Sequence, residues 1–136
     1  MGYKFVDDVA IADVSFQADG QTLEELFESC GNALTNSMVK DLETVEAKKE
    51  IRFEVEAETT EKLLYQFLDE LIFYKDAEQM LFRKYDIKID GNKLTATLTG
   101  EKIDPKKHEM IIDVKAVSWH MFKVEKGWTA FVILDV

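Results

Sequence analysis

From Lys49 to Glu58 the chain reads Lys-Glu-Ile-Arg-Phe-Glu-Val-Glu-Ala-Glu. Apolar and charged residues alternate, so Ile51, Phe53, Val55 and Ala57 share one face and the charges share the other. Period two is the signature of a strand half buried against a core, and a helix would scatter the same residues around its axis. The fold must therefore contain a sheet with one wet face and an apolar layer to cover the other. Two amphipathic helices can supply that layer. The first begins at Thr22, where Thr22-Leu-Glu-Glu25 is a capping box: the Thr hydroxyl can accept from a backbone N–H three residues on, and Glu25 can reach back. Leu23, Leu26, Phe27, Cys30, Leu34 and Met38 then fall on one helical face. The second is predicted over residues 60–75, capped by Thr59 or Thr60, with Leu63, Leu64, Phe67, Leu68, Leu71 and Ile72 as a wide apolar stripe.

The rest of the pattern is strand and turn. Residues 3–6 and 13–19 read as strands, with Val14, Phe16 and Ala18 alternating against polar neighbours before a turn at Asp19-Gly20. Leu81–Ile89 and Lys93–Leu98 flank Asp90-Gly91-Asn92, which carries a hairpin signal. After a loop over 100–109, residues 111–124 and 128–135 read as a second hairpin around a turn at 125–127. The sum is an α+β architecture of two helices packed on a mostly antiparallel sheet. The chain has one proline, Pro105, and no linker, repeat or low-complexity tract, so residues 1–136 are expected to form a single domain.

Several chemistries lack their residues. A net charge of −10 over 136 residues argues against strong direct binding to nucleic-acid phosphates and suits a metal site or a basic protein partner. No apolar run reaches the roughly 20 residues that cross a membrane, and the N-terminus lacks a signal-peptide layout, so a cytoplasmic location is expected and no membrane partner. The single cysteine, Cys30, lies on the apolar stripe of the first helix, away from any positive group that would activate it. There is no His-Glu-x-x-His, no cysteine pair, no Gly-x-Ser-x-Gly and no phosphate-cradling glycine loop. His108 lies in a loop with Asp104 and Glu109. In the strand around His120, parity sets Lys115, Val117, Trp119 and Met121 on one face and Ala116, Ser118, His120 and Phe122 on the other.

Two aspartates stand out. Asp135 ends the apolar run Trp128-Thr-Ala-Phe-Val-Ile-Leu-Asp-Val136, and Asp13 sits in Val9-Ala-Ile-Ala-Asp-Val-Ser-Phe16 near the other terminus. A carboxylate on a strand entering a core is costly unless it is paired, hydrogen-bonded or metal-bound. The two could form one composite site for a hard cation such as calcium, with main-chain oxygen from Val136 completing the donors. They could also act as an acid–base pair, or as a small hydrolase or metal enzyme with His120 nearby. Alternatively, Asp13 braces a bend and Asp135 is an exposed strand end.

Thr22-Leu-Glu-Glu-Leu-Phe-Glu28 after Asp19-Gly20, Ala12-Asp13, Gly100-Glu101 with His108, Val114-Lys-Ala-Val-Ser-Trp-His120 and the terminal Trp128–Val136 run together resemble the archease family, in that order and over nearly the whole chain. The resemblance implies a non-enzymatic cytoplasmic cofactor that promotes guanylylation, by GTP with manganese, and multiple turnover of an RtcB-type RNA ligase in tRNA splicing. It also implies a second possibility, a chaperone or specificity modulator of an RNA-modifying enzyme such as a tRNA cytosine methyltransferase. By similarity, the divalent-metal ligands are Asp13, Asp135 and the main-chain carbonyl of Val136; Asp41 and His120 are further candidates. The family's usual His-Thr-Ala-Asp-x-Gly is replaced by Ala10-Ile-Ala-Asp-Val-Ser15. The stretch Asp41-Leu-Glu-Thr-Val45 keeps an Asp-x-x-Thr-Val pattern with one extra residue.

Overall fold

In chain order the elements are β1 (Gly2–Val6), β2 (Val14–Asp19), α1 (Leu23–Met38), a single 3-10 turn (Leu42–Thr44), β3 (Lys49–Glu56), α2 (Thr60–Glu78), β4 (Met80–Asp90), β5 (Lys93–Lys102), β6 (Ala116–Glu125) and β7 (Thr129–Asp135). They are seen in a computed structural model that describes residues 2–6 and 13–136. Of the altered positions, Ala10 and Ile11 lie outside the described residues, and Ser15 is buried in β2. All described strand pairs are antiparallel, and they form two sheets, β1-β2-β7-β6 and β3-β5-β4. The α+β expectation therefore holds, with the strands divided between two sheets. Both helices touch both sheets, so one core serves the molecule.

The helices start where their caps require. Thr22 Oγ1 accepts the Glu25 N–H at 3.1 Å, while the Glu25 carboxylate accepts the N–H of Gln21, one residue earlier than a standard capping box. Thr59 caps α2 by accepting the Lys62 N–H at 3.1 Å. The helix continues past residue 75 to Glu78 and stops at Gln79, whose left-handed backbone turns its N–H onto the Tyr74 carbonyl. All six residues of the α2 stripe are buried, as are Leu26, Phe27, Cys30, Leu34 and Met38 of α1. Burial pushes the Cys30 thiol far above its ordinary range, which leaves it inert. Phe53 and Val55 of β3 meet this layer, with Phe53 packed between Phe67 and Tyr74.

Two glycines sit where a side chain is disfavoured, one by conformation and one by space. Gly91 has φ 60 between Asp90 and Lys93, the left-handed first turn position of a two-residue hairpin. Gly100 faces a bulge in β4, where the register steps from Phe82–Gly100 to Lys84–Thr99. A methyl at Gly100 would lie 1.8 Å from the Leu81 carbonyl oxygen. The bulge aims Arg83 outward, 3.0 Å from Glu43 on the 3-10 turn. Gly100→Ala is expected to destabilise the fold by about 1–3 kcal/mol through this overlap. Urea unfolding at pH 7 checks it; an unchanged midpoint would refute the close-contact account.

Candidate functional site

The sheet β1-β2-β7-β6 brings the chain's ends together. β2 and β7 pair from Asp19–Thr129 to Val14–Leu134. Asp13 precedes the last residue of that ladder on β2, and Asp135 follows it on β7, so the two aspartates occupy neighbouring ends of the two inner strands of the sheet. Directly paired Cα atoms in such a ladder lie about 4.5–5.5 Å apart, which makes this a local juxtaposition. On its other side Asp135 pairs with Ala116, and its carbonyl accepts the Lys115 N–H at 2.8 Å. Lys115 is thus drawn to the same end of the sheet.

The structure alters one premise. Ala130, Val132 and Leu134 are the inward residues of β7, so Asp135 falls on the opposite parity and is exposed. Its charge is hydrated and carries little of the desolvation cost that its apolar neighbours suggest. Asp13 is half-buried at a bend, and Val136 packs against the rim of the core. Asp135 also acts across space on α2. Burial raises the Tyr65 hydroxyl above its ordinary value, and the negative charges of Asp69 and Asp135 push it the same way.

The other candidates are elsewhere engaged. Asp41 is exposed and caps the 3-10 turn, its carboxylate accepting the Glu43 N–H at 3.0 Å. His120 is exposed and lies four residues along β6 from Ala116, up to about 13 Å of extended backbone from the partner of Asp135. Its face assignment from parity fails, because β6 bulges between Ser118 and Lys123. The predicted strand over 111–124 also begins later, at Ala116, and Trp128 belongs to the turn before β7. Among the described residues there is no group of three or more His, Cys, Asp or Glu side chains able to hold a metal.

A second charged cluster was hidden in the loop after β5. His108 is buried, with Nδ1 accepting the Asp104 N–H at 2.9 Å and Nε2 placed 3.0 Å from Glu101. That arrangement leaves Nε2–H to donate to the carboxylate. Glu101 also accepts from Lys107 Nζ at 2.8 Å and from the Glu46 N–H at 2.7 Å. Lys75 makes a third anchor. It is buried on α2, yet its ammonium reaches the Val114 carbonyl at 2.8 Å and the carboxylates of Asp113 and Asp76. Burial alone would lower its pKa; the two carboxylates outweigh it and raise the value. These clusters fasten the 103–115 connection before it enters β6. Lys75 was legible as a charge three and four residues beyond Ile72 and Leu71 on the apolar stripe.

A small two-helix, two-sheet α+β protein, with a pair of acids at the joined ends of the chain, is the class that this geometry defines. The archease protein family (MTH1598/TM1083) has a profile that matches residues 3–136. Archease of Methanothermobacter thermautotrophicus is 43% identical over 142 residues, covering 99% of each chain. Archease of Pyrococcus abyssi is 41% identical over 133 residues, covering 92% of this chain and 93% of its own. The solution structure of Methanobacterium thermoautotrophicum protein 1598 superposes with a TM-score of 0.83 at 42% identity, covering 99% of both chains. The crystal structure of a Thermotoga maritima archease, described as a possible chaperone, shares the fold at a TM-score of 0.62 and 19% identity, covering 93% of each chain. The chain belongs to the archease family.

The Glu101 cluster gives a pH dependence. Burial raises the carboxyl, but Lys107, the Glu46 N–H and His108 outweigh it and lower the pKa from 4.5 to about 2. A depressed carboxylate contributes stability above the unfolded value, and that contribution is lost as pH falls from about 4.5 towards 2. Glu101→Gln is expected to lower the thermal midpoint at pH 7 and to flatten its fall across this acid range. A wild-type acid limb retained by the variant would rule out Glu101 as its source.

Proposed function

We propose that this chain is a non-enzymatic protein cofactor of an RtcB-type RNA ligase in tRNA splicing, promoting guanylylation and multiple turnover of that enzyme. Membership of the archease family supports the class of activity, and the observation that carries the reading is the juxtaposition of Asp13 and Asp135 at one end of the sheet. The exposed Asp135 carboxylate, with half-buried Asp13 on the neighbouring strand, is placed to face a partner's active site. A net charge of −10 steers the chain towards a basic, RNA-handling surface and away from RNA itself. Such a client sets the place of action in the cytoplasm.

The donor set fits a hard divalent cation, calcium being the first choice. Two carboxylates and main-chain oxygen are all-oxygen ligands, and Val136 lies beyond the Asp135 carbonyl that Lys115 already occupies. With only two side-chain acids, the site would be shallow and rich in water. A bound divalent ion would supply positive charge and Lewis acidity for phosphate oxygens. The chain's own part is to hold Asp13 and Asp135 side by side through the β2–β7 ladder, so that neither carboxylate has to be ordered when the partner arrives.

A second reading is a chaperone or specificity modulator of an RNA-modifying enzyme such as a tRNA cytosine methyltransferase, favoured by the description of the Thermotoga maritima archease as a possible chaperone. The two readings separate in one assay. Multiple-turnover ligation by a cognate ligase should rise with the wild-type chain and fall back towards the ligase-alone rate with Asp13→Ala or Asp135→Ala. No stimulation by wild type would sink the ligase reading, and full stimulation by both variants would sink the site. For the metal, calcium at a hundred times its Kd should add about 2.7 kcal/mol of stability to wild type and none to Asp135→Ala. Thermal unfolding with and without calcium checks this; an equal rise in both proteins would remove Asp135 from the ligands.

A further inference from the structure

The most irregular stretch of sheet lies in β6. Its ladder to β7 runs through Ser118–Ile133 and resumes at Lys123–Phe131, so five steps on β6 oppose two on β7. Three extra residues bulge from the edge of the sheet. Met121 within them has φ 57, a left-handed conformation that costs a non-glycine residue energy and that concentrates at functional sites. An odd insertion also inverts the parity: Val117 is buried before the bulge, whereas Phe122 and Val124 turn inwards after it. The outcome is that Trp119 and Met121 stand 53% and 55% exposed, side by side with His120.

Trp119 is exposed but held. Its indole stacks on the Tyr65 ring of α2 at 4.1 Å and 8°, and Phe122 meets it edge-on at 5.2 Å. One face of the indole is therefore taken, and the other is presented to solvent as a fixed platform. Ordering that costs nothing at the moment of binding leaves more of the contact energy as affinity. Carboxylates flank the platform on α2: Glu61 and Asp69 lie one helical turn before and after Tyr65, and the Glu61 carboxylate accepts the Val124 N–H at 3.4 Å. The nearby cation Lys123 is already paired with Glu125 at 2.7 Å.

An aromatic face beside carboxylates is complementary to one side chain above others. A guanidinium is planar, stacks on indole and forks onto carboxylate oxygens. Nucleobases also stack on tryptophan, but their phosphates would meet the acidic rim of a chain with net charge −10. We propose that Trp119, carried on Tyr65 between Glu61 and Asp69 of α2, is a docking platform for an arginine side chain on a basic segment of a partner protein. This goes beyond the metal and ligase reading and does not depend on which client is correct.

The test needs no ligase, so it stands or falls apart from that reading. The full chain is titrated calorimetrically with a hexapeptide alternating arginine and glycine, with its glutamate counterpart, and with a single-stranded RNA hexamer. The arginine peptide should bind wild type, weaken with added salt, and lose about two- to fivefold in affinity on Trp119→Ala, the range expected for one cation–π contact at an exposed site. Asp69→Asn, at an exposed position that leaves the platform intact, should weaken it in the same direction by a smaller factor. The glutamate peptide and the RNA should show no Trp119-dependent binding. Circular dichroism and thermal unfolding establish that both variants are folded. The proposal is overturned if wild type does not bind the arginine peptide, if Trp119→Ala binds it equally, or if Trp119 is needed for the RNA instead. Sedimentation showing that the patch serves wild-type self-association, abolished by Trp119→Ala without peptide binding, would overturn it as well.

Discussion

The pairing of β2 with β7 is the contact on which the rest of the molecule depends. It joins the first part of the chain to its last residues through six register pairs, from Asp19–Thr129 to Val14–Leu134. Closing a loop of nearly the whole chain is entropically unfavourable, though the cost grows only slowly with length. The apolar inner row of Phe16, Ala18, Ala130, Val132 and Leu134 is what offsets it. Because β7 is an inner strand, it also fixes β6, and with it the bulge and the Trp119 platform. The acidic pair and the aromatic patch are two consequences of one ladder.

The helices secure that ladder from the inside. α1 leaves β2 through the turn at Gly20, whose N–H donates to the Trp128 carbonyl at 3.1 Å, and its capped start is tied back to the sheet by Ser29, which donates to the Asp19 carbonyl. α2 bridges the two sheets and reaches the long connection through Lys75. Ammonium, carboxylates and carbonyl together make the burial of that charge tolerable, whereas losing one partner would leave it uncompensated. Glu101 with His108 does the same at the other end of the connection. Both clusters hold backbone that has no regular structure of its own.

Much of this was legible in local pattern. The alternation from Lys49 identified β3, the apolar stripes identified both helices, and Thr22 and Thr59 marked their starts, because each of these signals is set by neighbours within a turn or a pleat. That Asp13 and Asp135 sit at the ends of neighbouring strands depends on strand order, which local pattern does not carry. Parity failed in β6, since a bulge of three residues inverts every assignment beyond it and the local sequence carries no glycine or proline to announce it. His108 does lie in a loop, as read, but its burial and its contact with Glu101 were not legible, for a related reason. Its partner Glu101 lies on the end of a strand that pattern alone ended at Leu98.

The sequence by itself determined two capped helices, a set of amphipathic strands, an inert core cysteine, an acidic surface and a resemblance to archeases that the comparisons turned into family membership. These follow from periodicity, capping chemistry and charge, which act over a few residues at a time. Only the tertiary structure decided that the strands split into two sheets, that Asp135 faces water, and that Tyr65 supports Trp119 between Glu61 and Asp69. Those outcomes rest on which distant strands pair and in what register, and register is fixed by the shared core as a whole.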